Sequence, residues 1–321
     1  MEVNKCRVCG NADNSEIYML KEMMFGIGEE FDYYKCSSCG CLQIKEFPQN
    51  IEKYYPLNYL IFPEQSILKK YLFKKRELYV MTGKGLIGKL FTLKFGYPDF
   101  YHWFSRANLN KDDSILEVGC GRGELLFKLR DAGFTNLLGI DPYIERDLIF
   151  NENFKILKNN LSQIFDLSFD WVMFHHSFEH LKNPTETFLI LKKLVKKNGN
   201  VLIRIPVIDS YAWEFYKTNW IQLDPPRHFF LHTVNSISYL ADKNGFQINK
   251  IIYDSTAFQF LGSEQYKRKI PLMSEESYLQ NFEKSIFSKA DVKQFNKKAE
   301  ELNKNKKGDT ACFYLKNLDL E

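Results

Sequence analysis

The residues that most clearly carry chemistry are Ile115-Leu-Glu-Val-Gly-Cys-Gly-Arg-Gly-Glu124, followed at a strand's distance by Gly139-Ile-Asp141. Gly119, Gly121 and Gly123 permit positive φ and let a ligand approach the backbone closely. The apolar run before them, Ser114 to Val118, suits a buried parallel strand. Leu125, Leu126, Leu129 and Ala132 then recur at helical spacing up to Gly133. Asp141 ends the next strand, where an acid grips a pair of ribose hydroxyls. This order describes a site for a nucleoside-bearing cofactor. The dinucleotide fingerprint G-x-G-x-x-G fits poorly, because the third glycine comes one residue early and Glu124 fills its slot. Pyrophosphate would also meet Glu117 and Glu124 beside a helix N-terminus that favours anions. Acids at these positions suit a cofactor with positive charge. The alternative is a glycine loop that binds nothing.

Seven cysteines are present, and four form Cys6-x-x-Cys9 and Cys36-x-x-Cys39. Paired C-x-x-C motifs in a reducing compartment favour zinc over disulfides. Gly10 and Gly40 allow the tight knuckle turns. Four thiolates fill a tetrahedral site and leave no open position, so the expected zinc is structural. Cys41 is a substitute ligand within reach. Cys120 and Cys312 read as packing residues.

Histidine supplies the candidate base, since imidazole titrates near neutral pH. His228 lies in Pro225-Pro-Arg-His228, in a loop after a predicted strand. Such loops meet ligands at the carboxyl edge of parallel sheets. Arg227 beside it could hold a phosphate or carboxylate bidentately. A structural histidine pinning this turn is the competing reading. His232 precedes Thr233, a predicted N-cap, and reads as structural, as do His175 and His102.

These residues need a frame. Predicted strands lie near 114–118, 137–140, 154–157, 169–174, 200–205, 246–253 and 310–315, with helices at Thr185–Val195 and Thr233–Asn244. Alternating strands and helices predict an α/β fold with a mainly parallel sheet. The organisation expected is a zinc-binding module over 1–60, a helical basic and aromatic linker over 61–110, and a cofactor-binding domain over 111–321. Residues 256–307 read as a helical insertion before the last strand. The run Tyr54 to Tyr59 is expected to pack the module onto the rest of the chain. Net charge is only +4, but residues 60–110 hold nine Lys/Arg against three acids. This local surplus includes Lys69, Lys70, Lys74, Lys75 and Arg76, and reads as a solvated helix face or a ligand surface. Gly83 to Lys89 nearly matches a phosphate loop, but Leu90 replaces the required Ser/Thr. No apolar run is long enough to span a membrane. The first residues lack the layout of a signal peptide, so a cytoplasmic protein is expected.

From Glu117 onward the chain resembles class I S-adenosylmethionine (SAM) dependent methyltransferases, whose motif I reads Glu-x-Gly-x-Gly-x-Gly. The resemblance implies a Rossmann-like seven-stranded sheet with an antiparallel last strand. It implies Glu117, Gly119, Gly121 and Gly123 around the amino acid part of SAM and Asp141 on its ribose. Asn160 stands where the family usually places an acid near adenine. His176-Ser-Phe-Glu179-His180 matches the His-x-x-Glu-His segment that borders the methyl-transfer site. It makes His176 a cofactor contact and Glu179 and His180 catalytic candidates, with a structural histidine steadied by Glu179 as the competing reading of His180.

The layout of two C-x-x-C motifs ahead of this core resembles bacterial sugar and polysaccharide-pathway methyltransferases. In zinc-containing sugar C-methyltransferases a Tyr-His-Glu-His segment is catalytic. Here Pro225 or Pro226 replaces its tyrosine, His228 aligns with its second histidine, and the large C-terminal domain is missing. O-methylation of a sugar-nucleotide or glycan hydroxyl therefore fits at least as well. Asp224-Pro-Pro-Arg227 imitates an amino-methylating motif, but it follows the wrong strand and lacks the stacking aromatic. Two other readings stand beside this one. One is an RNA methyltransferase using the zinc module and the basic segment 69–94. The other is a noncatalytic SAM-binding scaffold.

Overall fold

The computed structural model describes residues 5–12, 16–55, 67–97, 101–107 and 109–318. Residues 56–59 of the aromatic run, and the side chains of Lys69, Lys70 and His102, lie outside the described part.

The chain opens with β1 (Glu16–Lys21), β2 (Glu30–Lys35) and β3 (Leu42–Ile44) in antiparallel order. Helices α1 (Ile67–Thr82), α2 (Leu86–Phe95) and the short α3 (Tyr101–Phe104) follow. The Gly83–Lys89 stretch is their turn and crossing. Gly83 caps α1 through Tyr79 O, and a Cβ on Gly88 would stand 2.1 Å from Lys75 O. Close helix contact accounts for Gly88 and a positive φ of 70° for Gly83, with no phosphate needed.

The second sheet collects β4 (Ser114–Val118), β5 (Asn136–Ile140), β6 (Leu148–Asn151), β7 (Phe154–Leu157), β8 (Phe169–His175) and β9 (Val195–Pro206). Helix α4 (Glu124–Asp131) joins β4 to β5, and α5 (Pro184–Leu194) joins β8 to β9. After α6 (Tyr211–Tyr216) comes the two-residue β10 (Phe230–Leu231), then α7 (Val234–Lys243) and β11 (Phe246–Tyr253). Helices α8 (Phe258–Lys267) and α9 (Lys289–Lys304) precede β12 (Thr310–Asn317).

The large sheet runs β11-β12-β9-β8-β4-β5-β7-β6. The centre is parallel, and β12 is antiparallel to both neighbours. This is the Rossmann-like methyltransferase sheet with one strand added. The eighth strand, β6, pairs antiparallel with β7 at the edge. Its four residues are half-buried or exposed and show no period-two alternation, so nothing in the sequence marked it.

The apolar runs explain the central strands. Ile115, Leu116, Val172, Met173, Phe174, Leu202 and Ile203 have no exposure at all, as strands covered on both faces require. Leu126 and Leu129 dock α4 on the sheet. Asn183 caps α5 by accepting from Glu186 N, with Pro184 at its first position. Strand order reverses beside β4, which opens a crevice at the carboxyl ends of β4 and β8.

The smaller sheet runs β1-β2-β3-β10, so its fourth strand comes from the far side of the methyltransferase core. Phe230 faces Gln43, and Leu231 faces Leu42. Ile44 N donates to Phe229 O, and Thr233 Oγ1 donates to Cys39 O. Each pairing ties the His228 loop to the cysteine-bearing segment.

Candidate active site

A cleft of about 1590 Å³ opens over the carboxyl ends of β4, β5 and β8. The glycine loop forms one wall, with φ of 72° at Gly119, 53° at Gly121 and 80° at Gly123. A Cβ on Gly119 would stand 2.5 Å from Ser177 Cβ, and one on Gly123 would stand 2.2 Å from Ile156 Cδ1. These conformations and close approaches require glycine. Asp141 braces the loop by accepting from Gly121 N at 2.9 Å and from Tyr143 N at 2.8 Å.

Glu117 points into this cleft from the end of β4, with only 4% exposure. Its Oε2 is buried without a hydrogen-bond partner. Such an atom costs stability unless a donor meets it. The ammonium of an amino acid moiety is a fitting donor. The cradle of glycines, the acid at Asp141 and the orphaned Glu117 oxygen together fit SAM. Asn160 is exposed on the same cleft, and His176 lines it.

The second wall follows β8. His176 adopts φ of 50°, a left-handed conformation uncommon outside glycine. Arg204 donates to its Nε2, so its hydrogen sits on Nδ1, 3.4 Å from Glu179 Oε1. Burial, then the Arg204 charge, lowers the His176 pKa. Arg204 is itself held by Asp254 at 2.6 Å and lies over the Trp103 ring at 4.5 Å. Neither Arg204, Trp103 nor Asp254 was singled out from sequence. A lone arginine inside the apolar run Val201 to Ile205 was the available signal.

Glu179 is wholly buried, and neither carboxylate oxygen has a hydrogen-bond partner. Burial raises its pKa, but the surrounding His176, His180 and His228 outweigh this and hold it at about 2. His180 lines the cleft, and its ring centroid lies 4.8 Å from that of His228. Burial, then the neighbouring His228, lowers the His180 pKa to about 4, which keeps it neutral. His180 Nδ1 lies 2.8 Å from Arg227 O, and His228 Nδ1 lies 2.7 Å from Gln222 O. A carbonyl can only accept, so both rings carry hydrogen on Nδ1, and neutral His180 keeps its lone pair on Nε2. His228 keeps 6% exposure.

Tyr55 stacks on Tyr143 at 4.9 Å and places its hydroxyl 3.1 Å from His180 Nδ1. It brings the N-terminal segment over the cleft; the sequence had this aromatic run packing on the rest of the chain, but not against Tyr143 and His180. His175 packs on Trp103 and lies 3.7 Å from Glu117.

Arg227 requires a correction. The expectation placed it against an anionic group of the acceptor. It is completely buried, pairing with Asp224 and Glu22 and donating to Tyr54 O. Two internal carboxylates therefore hold the fork that was expected to grip a ligand. His232 is also fully buried, 3.0 Å from Ser236 Oγ.

Away from the cleft, Cys6, Cys9, Cys36 and Cys39 bring their sulfurs within 4.8 Å of one another. Cys6 Sγ to Cys39 Sγ is 3.7 Å, and Cys9 Sγ to Cys36 Sγ is 3.6 Å. A tetrahedral zinc with Zn–S near ~2.3 Å requires edges of roughly 3.8 Å. Gly10 N returns to Cys6 O and Gly40 N to Cys36 O, closing both knuckles. Gln43 Nε2 donates to Cys6 Sγ. Donor set and spacing fit zinc. Cys41 stays outside the cluster, with its Sγ 3.8 Å from His232 Nδ1.

Residues 95–251 match the family model described as "Methyltransferase domain". Those residues carry a methyltransferase domain, and the sheet has the Rossmann-like order of SAM-dependent methyltransferases. Among curated proteins, the tRNA U34 carboxymethyltransferase of Aliarcobacter butzleri is 21% identical over 228 residues, covering 63% of this chain and 71% of that protein. The enzyme of that name from Actinobacillus pleuropneumoniae is 30% identical over 110 residues, 31% of this chain and 34% of that one. For the Pseudomonas fluorescens (strain SBW25) enzyme the values are 28% over 114 residues, 31% and 35%. The chain thus spans about a third of the length of these last two relatives. Two solved structures are similar. A SAM-dependent methyltransferase from Mesorhizobium loti has a TM-score of 0.44 at 14% identity, covering 68% of this chain and 98% of that one. One from Archaeoglobus fulgidus has a TM-score of 0.41 at 21% identity, covering 71% and 98%.

Proposed function

We propose that the protein transfers a methyl group from SAM to a hydroxyl of a sugar nucleotide or glycan unit, with His228 as general base. The carrying observation is the buried group of Glu179, His180 and His228, whose two imidazoles hold their Nδ1 hydrogens on main-chain carbonyls. That arrangement leaves the Nε2 lone pair of His228 to accept a proton. SAM, when bound, supplies a methyl group already activated on a sulfonium. Glu117 and the glycine loop would hold its amino acid part, Asp141 its ribose and Asn160 its adenine, with His176 beside them. The chain's own work is to orient the acceptor and receive its proton. The carbonyls of Arg227 and Gln222 fix the imidazoles, and Glu179 balances the charge His228 gains.

In this reading residues 1–60 form a zinc module on Cys6, Cys9, Cys36 and Cys39. Residues 61–110 link it to a methyltransferase domain over 111–321, with 256–307 inserted. Zinc there is structural. Four reduced cysteines suit the cytoplasm, and no helix among the described residues is long and apolar enough to cross a membrane.

A second reading is RNA methylation, favoured by the tRNA enzymes among the relatives and by the basic segment 69–94. Part of that charge is already engaged. Lys74 pairs with Asp131 at 2.8 Å, and Arg76 lies over Phe73 at 4.7 Å. The test is transfer of labelled methyl from SAM into fractionated extract, with His228→Ala in parallel. Label in nucleotide-sugar or glycan fractions, lost in the variant, supports the first reading. Label in RNA, with steep salt dependence of binding, replaces it with the second.

A further inference from the structure

The structure assigns a divalent-cation site to Glu179, His180 and His228, separate from the four-cysteine cluster. The inference rests on the hydroxyl-transfer reading but replaces His228 as general base, since its Nε2 lone pair then holds the cation and not the acceptor's proton. One ring nitrogen from each histidine and one Glu179 oxygen lie within 4.8 Å of one another. Glu179 has no exposure, and both its oxygens lack a hydrogen-bond partner. Among the described residues its ion-pairing neighbours within 4 Å are the imidazoles of His176, at 3.4 Å, and His228, at 3.9 Å, not lysine or arginine. Arg227 is occupied by Asp224 and Glu22, and Arg204 by Asp254.

A proton does not satisfy this cluster. His228 Nε2 stands 3.9 Å from Glu179 Oε1 and 3.8 Å from Asp224 Oδ2. Both distances exceed hydrogen-bond reach. His180 and His228 meanwhile show what metal-ligating imidazoles require: Nδ1–H anchored on a backbone carbonyl, leaving Nε2 as the ligand atom. Two imidazole nitrogens and a buried carboxylate oxygen gathered this closely, with no lysine or arginine on the carboxylate, suit a cation. Two imidazoles and one carboxylate suit Zn²⁺, Mn²⁺, Fe²⁺ or Co²⁺ and leave at least one coordination position open.

His180 lines the cleft, which would put an open position within reach of an acceptor bound there. A hydroxyl held there is acidified by the cation. Its proton passes to solvent and its oxygen takes the methyl group. The sulfonium S–CH₃ bond breaks with its electron pair retained on sulfur.

The test titrates the full-length protein, its cysteine site loaded with zinc, with Mn²⁺ followed by electron paramagnetic resonance. Co²⁺ absorption serves as a second probe, since four thiolates give an intense sulfur charge-transfer band that an imidazole–carboxylate site lacks. One Mn²⁺ per chain is expected, weakened about 100-fold or more in Glu179→Gln. His228→Gln repeats the comparison should Glu179→Gln not fold. No Mn²⁺ or Co²⁺ bound beyond the cysteine site at millimolar concentration overturns the assignment, as does unchanged affinity in both variants. Cation binding without methylation of any hydroxyl acceptor supports the site and refutes the hydroxyl-transfer reading. Methyl transfer that needs His228 in a protein binding no such cation overturns the site and keeps that reading.

Discussion

Asp309 offers a quantitative test of how the core was built. It sits at the start of β12 with 1% exposure, accepting from Trp220 Nε1 at 3.0 Å. Burial raises its carboxyl from 3.8 to about 6, against the opposing hydrogen bonds from Trp220, Ser255 and Thr310. The folded state therefore binds this proton more tightly than the unfolded chain. Its contribution to stability is fully present below about pH 4 and is lost as pH rises through about 6. A shift of roughly two units corresponds to about 3 kcal/mol over the whole window, about half of it between pH 5 and 7.5. Asp309→Asn keeps an acceptor for Trp220 and removes the titration. Urea unfolding of both proteins from pH 5 to 7.5 should show the wild type losing on the order of 1.5 kcal/mol relative to the variant. Parallel stability curves would refute the reasoning.

Three further outcomes are expected. Arg227→Ala leaves the Asp224 and Glu22 carboxylates buried without their partner and should cost about 3–5 kcal/mol in denaturant unfolding; a well-folded variant with only a raised acceptor KM would restore the ligand-gripping role. Tyr33→Phe removes the 2.8 Å hydrogen bond to His228 O, at about 1–3 kcal/mol. Turnover should fall while the SAM Kd, measured calorimetrically, stays put. Cys36→Ser should lose about one zinc per chain by mass spectrometry, and with it the ordered N-terminal sheet; an unchanged metal content would count against the four-cysteine site.

The cofactor wall was legible because local rules determine it. Alternating glycines, an acid at Glu117 and another at Asp141 are short-range features, and the sheet around them follows from apolar runs of strand length. The four cysteines were legible because their spacing is itself the constraint. What the sequence concealed is long-range. Arg227 is adjacent to His228 in sequence, yet its partner Glu22 lies 205 residues away, so its burial could not be read locally. Tyr55 reaches His180 across 125 positions. The short strand β10 is two residues long and exists only because β3 presents an edge. No periodicity marks such an element. His180 and His228 were visible as residue types, but their tautomers depend on the carbonyls of Arg227 and Gln222, which only folding brings to them.

The pairing of β10 with β3 has a consequence for biogenesis. Tyr33 and His228, joined beside that pairing, are separated by 195 residues. During synthesis the knuckles emerge before β10, and the edge of β3 waits for a partner made long after it. An uncapped edge is a template for association with other chains, and N-terminal units are generally made and folded first. Expressing residues through β3 alone would leave that edge open to self-association. Expressing the core without them would leave the His228 loop with nothing to lie against. The enzyme is thus a poor candidate for division at its apparent boundary, because one folding event closes both parts.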